Sequence, residues 1–198
     1  MSMTSIPDTM KAIVLKEVGD ASKLSWSERQ PTPQPGPGEV LILNRYSGLN
    51  YHDTYTRTGL YKRQLPLVLG TEGGGRIVAV GEGVDPKRIG QRVAYLAEGS
   101  YAQFTCAPSH RAVQIPHNVE MKTAVCLLVQ GLTAHYLATS VFHLAPGAVC
   151  LIHAAGGGTG GLLVQLAKQM GATVIALSGS VYKSELAKLH GADVDFPP

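Results

Sequence analysis

The chain has 198 residues, of which 44% are hydrophobic and 16% charged, and a formal net charge of +3. That balance lets it bury a sizeable core in one or two domains, while no apolar run reaches the length needed to span a bilayer. The N-terminal MSMTSIPDTM has neither the basic nor the apolar part of a signal peptide, so cytoplasm is the expected location.

In chain order, apolar or alternating runs at Ala12 to Leu15, Val40 to Leu43, Gly75 to Val80, Arg92 to Tyr95 and Ser100 to Cys106 predict strands separated by glycine and proline turns. The PTPQPGPG stretch from Pro31 to Gly38 cannot be a central strand and reads as a stiff surface connection. A helical segment follows from Met121 to Phe142, with a break expected at Gly131. Cys106, Cys126 and Cys150 are odd in number and widely spaced, which gives neither a disulfide framework nor a zinc cluster; free, mostly buried thiols are expected. Arg57, Lys62 and Arg63 gather near Tyr55 and Tyr61, but the other basic residues are dispersed, so the charge reads as a solvated face and not as a nucleic-acid surface.

The most informative stretch is His153 to Gly161, HAAGGGTGG. The β-type run Val149 to Ile152 leads in, and a helical pattern placing Leu163, Leu166, Ala167 and Met170 on one face leads out. Strand, glycine turn and helix form a phosphate-binding arrangement: glycines let the backbone approach a pyrophosphate, and the N–H groups and dipole of the helix N-terminus favour the anion. Gly171 stops this helix, Thr173 to Leu177 is a second strand, Val181 to His190 a second helix, Gly191 a second stop, and Ala192 to Phe196 the start of a third strand. Such a βαβα series builds a doubly wound parallel sheet that binds a dinucleotide beyond the strand ends. Ala155, Gly156, Gly157, Gly158, Thr159 and Gly160 are the candidate pyrophosphate contacts. Ala155, Gly157 and Gly160 are the favoured frame, although Gly156, Gly158 and Gly161 also satisfy GxGxxG.

An NAD site places an acid about 20 residues past the turn, where it takes the ribose 2′-hydroxyl and repels a 2′-phosphate. Here the strand ends Leu177-Ser178-Gly179-Ser180, with no acid, and Lys183 adds positive charge. Ser178, Gly179, Ser180 and Lys183 are therefore expected to receive NADPH in preference to NADH.

With these residues in view, Gly147 to Lys168 resembles the signature of the quinone oxidoreductase and ζ-crystallin branch of the medium-chain dehydrogenases/reductases. Leu151, Gly157, Gly158, Gly160, Gln165 and Lys168 stand at the family's spacing, with Ala148 a departure on the strand approach. Asn50-Tyr51-His52-Asp53-Thr54-Tyr55, Gly59-Leu60-Tyr61, Gly70-Thr71-Glu72 and Gln130-Gly131-Leu132-Thr133-Ala134 match in the same order, so the resemblance covers about Met10 to Asp195. It implies an α/β chain with a GroES-like β-barrel over residues 1–127, supplying substrate contacts, followed over 128–198 by the first part of a Rossmann doubly wound parallel sheet. It also implies homodimers. Only the first strands of that sheet are expected before the chain ends; turnover by these residues alone should then be weak, with exposed apolar surface promoting association.

By the same resemblance, Tyr55 and Asn50 are the substrate-end candidates, Tyr55 to hydrogen-bond an acceptor oxygen and Asn50 to orient nicotinamide or substrate. Asp53 orients its neighbours or contacts cofactor, and Thr133 is a further cofactor contact. His52 and His153 flank functional segments, and His153 is read as a structural hydrogen-bonding residue. Zinc alcohol dehydrogenases of the superfamily carry a cysteine in the segment matching Asn50 to Asp53 and a histidine where Thr71 stands, so no metal is expected here. Without a Lewis acid, hydride transfer to an already electrophilic quinone or enone is the chemistry left open. The expected activity is NADPH-dependent quinone reduction. An alkenal or enoyl reductase, or a low-activity NADPH-binding protein of crystallin-like or RNA-associated type, are the alternatives.

Overall fold

A computed structural model describes residues 5–197 as part of two compact units, Met1–Leu128 and Val129–Pro198. In the first unit, β1 (Thr9–Leu15), β2 (Leu24–Pro31) and β4 (Leu67–Val68) form one antiparallel sheet in the order β2-β1-β4. A second, with β3 (Glu39–Ser47), β5 (Glu72–Val80), β6 (Arg92–Leu96), β7 (Phe104–Pro108) and β8 (Ala112–Gln114), runs β7-β3-β5-β6-β8, also antiparallel. Helix α1 (Tyr51–Thr58) follows β3, and α2 (Met121–Cys126) closes the unit.

The apolar run in β3 does not alternate because both its faces are covered. Val40 and Ile42 pack with Ile77, Val93, Tyr95 and Ala107 on one side, while Leu41 packs with Met10 and Phe104 on the other; all three β3 residues are 0% exposed. Strands β5 and β6 are covered on both faces as well, Val93 and Tyr95 packing in one cluster and Ala94 in another, and it is at Arg76 and Arg92 that polar side chains emerge.

Several elements differ from the sequence expectation for physical reasons. The extended segment expected from Ser100 to Cys106 becomes β7 only at Phe104. Residues 101–103 instead bond to the first sheet, Ile13 N–H donating to Tyr101 O (2.8 Å) and Gln103 N–H to Lys11 O (2.9 Å), so the chain changes sheets there. Strand β2, LSWSERQP, escaped the pattern because it is mostly solvated, with Trp26 60% exposed. Helix α1 is short and polar and has no apolar periodicity to betray it. Cys126 is exposed and Cys106 and Cys150 half-buried, so the thiols are less buried than expected. Burial pushes the Cys106 thiol up to about 11.

The second unit holds α3 (Val129–Tyr136), a π-helical continuation over Leu137–Val141, β9 (Val149–Ile152), α4 (Gly158–Gln169), β10 (Thr173–Leu177), α5 (Val181–Leu189) and β11 (Val194–Phe196). Its strands are parallel in the order β11-β10-β9. The helical segment expected to break at Gly131 breaks instead at residues 127–128; Gly131 lies inside α3, which packs on α4. Ile152, Val164, Ala167, Val174, Ala176 and Ala187 form the core. Lys168 fastens the end of α4: its Nζ reaches both Asp193 oxygens (2.8 and 2.7 Å) and the Ala172 carbonyl (2.9 Å), while Asp193 Oδ2 accepts from Val174 N–H (2.7 Å). Hydrogen bonding to Lys168 holds the Asp193 carboxyl below its ordinary range. On β9, Val149 and Leu151 are exposed, 65% and 53%.

Candidate functional site

In the first unit the candidate residues gather around one buried carboxylate. Asp53 is the third residue of α1, and its Oδ2 accepts from the backbone N–H of Asn50 (2.9 Å), so the same side chain starts the helix and fixes the residue before it. The same Oδ2 accepts from the Tyr101 hydroxyl (2.7 Å), and Oδ1 accepts from the Thr71 hydroxyl (2.8 Å). His52 Nδ1 lies 3.3 Å from Thr71 Oγ1 and 4.0 Å from Asp53 Oδ1. Asn50 in turn donates from Nδ2 to Glu72 Oε1 (2.7 Å), and Glu72 is 1% exposed. Gly48 makes room for that acid, since a Cβ there would stand 2.1 Å from Glu72 Oε1.

Asp53 therefore holds three donors and is an anchor. The Tyr101 hydroxyl is driven well above the usual tyrosine range, first by burial and then by the adjacent Asp53 carboxylate, so it stays a donor at neutral pH. Tyr55 stands apart from this network. Its ring packs edge-on between Tyr51 and Tyr61, both at 5.3 Å between centroids, and Tyr61 also lies 5.1 Å from His52. Tyr51 is 74% exposed and Tyr61 43%, so the aromatic group opens to solvent. Of the basic residues near it, Arg63 pairs with Glu98 (3.1 Å) and Arg57 donates to the Gly19 carbonyl (3.2 Å). Sequence reasoning missed Tyr101 and Glu72 as site members. Their signal, a tyrosine and an acid within otherwise apolar strand segments, has meaning only once the segments meet.

In the second unit the glycine turn is fixed by backbone collisions. A Cβ on Gly156 would stand 2.3 Å from the Lys183 carbonyl oxygen, and one on Gly160 would stand 2.2 Å from that of Ala154. At Gly158 and Gly161 the obstacles are side chains, Gln130 at 1.9 Å and His190 at 2.7 Å, while Gly157 meets only Ala154 O at 3.1 Å. Neither glycine frame expected from sequence thus accounts for the turn alone; Gly156 and Gly160 are the positions where backbone forbids a side chain. Ala154 takes φ +51, a left-handed conformation that costs a non-glycine residue about 1–2 kcal/mol. The N-cap of α4 is Gly157, with no side-chain cap, so the first-turn N–H groups of Gly158, Thr159 and Gly160 are not taken by one. Ala155 is fully buried beneath the turn. Thr133 spends its hydroxyl on the Val129 carbonyl of its own helix (2.5 Å), and His153 is exposed.

Beyond β10, Ser178 donates its hydroxyl to the Lys183 carbonyl (3.3 Å), whereas Ser180 caps α5 by accepting from Lys183 N–H (3.3 Å). A Cβ on Gly179 would meet nothing within 4 Å, and the Lys183 side chain is exposed. Uncapped helix start, glycine cradle and acid-free strand end together fit a dinucleotide carrying a 2′-phosphate.

Comparison with known proteins agrees with both units. The alcohol dehydrogenase GroES-like domain family matches residues 36–117. The quinone oxidoreductase of Pseudomonas aeruginosa is 38% identical over 185 residues, 92% of this chain and 57% of its own. A mycobacterial protein solved with NADPH superposes with TM-score 0.90 at 41% identity, over 96% of this chain and 59% of that one. The Escherichia coli quinone oxidoreductase, also solved with NADPH, gives TM-score 0.90 at 33% identity, over 94% and 58%. The chain thus spans a little under three fifths of the length of these relatives. Over that span it is similar to quinone oxidoreductases, and its fold is a GroES-like β domain followed by three parallel strands of a Rossmann-type sheet.

Proposed function

We propose that the chain takes part in NADPH-dependent reduction of a quinone without a metal ion. The observation that carries this reading is the glycine turn joined to a β10 end without an acid. Gly158, Thr159 and Gly160 present backbone N–H groups to the pyrophosphate. Ser180 accepts from Lys183 N–H, which leaves its own hydroxyl proton free to donate to a 2′-phosphate; Ser178 has already given its proton to a carbonyl. Lys183 adds a cation at the same helix start. Gly156 and Ala155 support the turn from beneath, and Gly179 leaves space beside it.

When bound, NADPH supplies a hydride, and a quinone accepts it without Lewis-acid help because its carbonyls are conjugated. The work of the first unit is then to orient. Asp53 holds Asn50, Thr71 and Tyr101 in place, and Glu72 fixes the Asn50 amide. Tyr55, walled by Tyr51 and Tyr61, offers its ring and hydroxyl to a planar acceptor. Thr71, where zinc relatives have a histidine, commits its hydroxyl to Asp53, which supports a site that needs no metal.

The test is NADPH oxidation by the purified protein against a panel of quinones and enones, with products identified. Quinone-dependent oxidation yielding semiquinone or hydroquinone is expected. Saturation of an enone C=C bond with no quinone turnover would assign the chain to the alkenal or enoyl reductases instead, and NADPH binding without turnover of either acceptor would mark a binding protein.

A further inference from the structure

We infer that the first unit carries a binding site for a small phosphomonoester at the open end of the β5 and β6 face on which α2 packs. Arg76 and Arg92 are direct cross-strand partners in the antiparallel register of these strands, so both side chains rise from the same face. Like charges placed opposite one another destabilise a sheet. No carboxylate offsets them: the cavity they line, of about 450 Å³, also includes Gln91, Gln114, Ile115 and His117 but no Asp or Glu among the described residues. Neither guanidinium is in an ion pair among the described residues.

Both arginines are nonetheless held. Arg76 Nη1 donates to the Gly90 carbonyl (2.8 Å) and Arg92 Nη2 to the Val119 carbonyl (2.9 Å). Each guanidinium has five N–H donors in a rigid fork, so an anchored head keeps several for a ligand and loses less freedom when one binds. Two cations that repel when the site is empty are stabilised by a doubly charged anion placed between them, and the phosphomonoester dianion supplies that charge with three acceptor oxygens. Two glutamines add neutral donors, and Ile115, 4% exposed, gives an apolar floor for the ester's body. This site is separate from the glycine turn and does not depend on the proposed cofactor.

The experiment follows backbone amide NMR shifts of the whole chain while inorganic phosphate, and in a parallel arm acetate, is titrated at constant ionic strength with chloride. Phosphate is expected to shift the amides of Gly90, Gln91 and Ile115 saturably, with acetate much weaker. Arg76→Gln and Arg92→Gln should each weaken phosphate at these amides by at least about tenfold, whereas Lys183→Ala should leave them unaffected. In phosphate-free buffer Arg76→Gln, an exposed position, should melt no lower than the unsubstituted protein, because it removes the repulsion. Shifts confined to residues 157–160, equal binding of acetate, or unchanged affinity in both arginine variants would each overturn the inference.

Discussion

The two units build their sites by opposite means. In the second, the turn from Ala154 to Gly160 is contiguous in sequence and made of backbone: its geometry rests on what glycine lacks. In the first, Asp53 joins Asn50, Thr71 and Tyr101 from three separated segments, and the geometry rests on side-chain donors meeting one buried carboxylate. A backbone site is broken by adding an atom, a side-chain site by removing one, and each unit should respond only to its own kind of change.

The largest effect is expected from adding atoms at the turn. Gly160→Val places a branched side chain against the Ala154 carbonyl oxygen, already 2.2 Å from a bare Cβ. It should weaken NADPH by about 100-fold or more and destabilise the second unit by about 1–3 kcal/mol, read by fluorescence titration and denaturant unfolding. Tryptophan fluorescence from Trp26, in the first unit, should report little change in that unit's midpoint; a common shift of both would dissolve the distinction.

Next comes removal of the anchor. Asp53→Ala strands the Tyr101 hydroxyl, the Thr71 hydroxyl and the Asn50 N–H, and should cost the first unit about 2–4 kcal/mol. Asp53→Asn keeps an acceptor oxygen and should cost less. NADPH affinity of the second unit should move far less than in Gly160→Val. If Asp53→Ala proves as stable as the parent in urea, the three hydrogen bonds do not organise the unit.

Smaller again is the contribution of Lys183. Lys183→Ala should weaken NADPH by about 1–3 kcal/mol, the range of a charge-assisted hydrogen bond, while NADH changes little. Equal losses for both nucleotides would remove Lys183 from the 2′-phosphate site.

The smallest effect is on pH dependence. Tyr101 is raised in the fold above its ordinary value of 10.0. A raised acid releases its proton from the unfolded chain first, so the stability this group contributes is full below pH 10.0 and is lost as pH climbs toward the folded value. Tyr95 is raised by burial as well and adds to the same decline. Tyr101→Phe should therefore flatten, without abolishing, the loss of first-unit stability between pH 9 and 11; an unchanged slope would show that Tyr101 does not titrate with folding.

This division also explains what the amino-acid sequence disclosed. Val149 to Ile152, the glycines and the apolar face of α4 are neighbours in the chain, so their pattern announces strand, turn and helix. Gly171 and Gly191, both with positive φ, mark the stops where expected. The barrel's strands show as apolar runs for the same local reason. Tyr101 was hidden because its role exists only once residues 101–103 cross from one sheet to the other and meet α1. Helix α1 was hidden because the Asp53 cap, and not apolar periodicity, starts it. Even within the legible turn, which glycines matter was not readable, since Gly156 is constrained by the carbonyl of Lys183, well downstream.

The central claim is that the acid-free end of β10 and the glycine turn receive a 2′-phosphorylated dinucleotide. Parallel titrations of the unsubstituted protein with NADPH and NADH test it most directly. Tighter binding of NADPH by about tenfold or more, narrowing as salt is raised, is the expected result. Equal affinities, or a preference for NADH, would contradict the account.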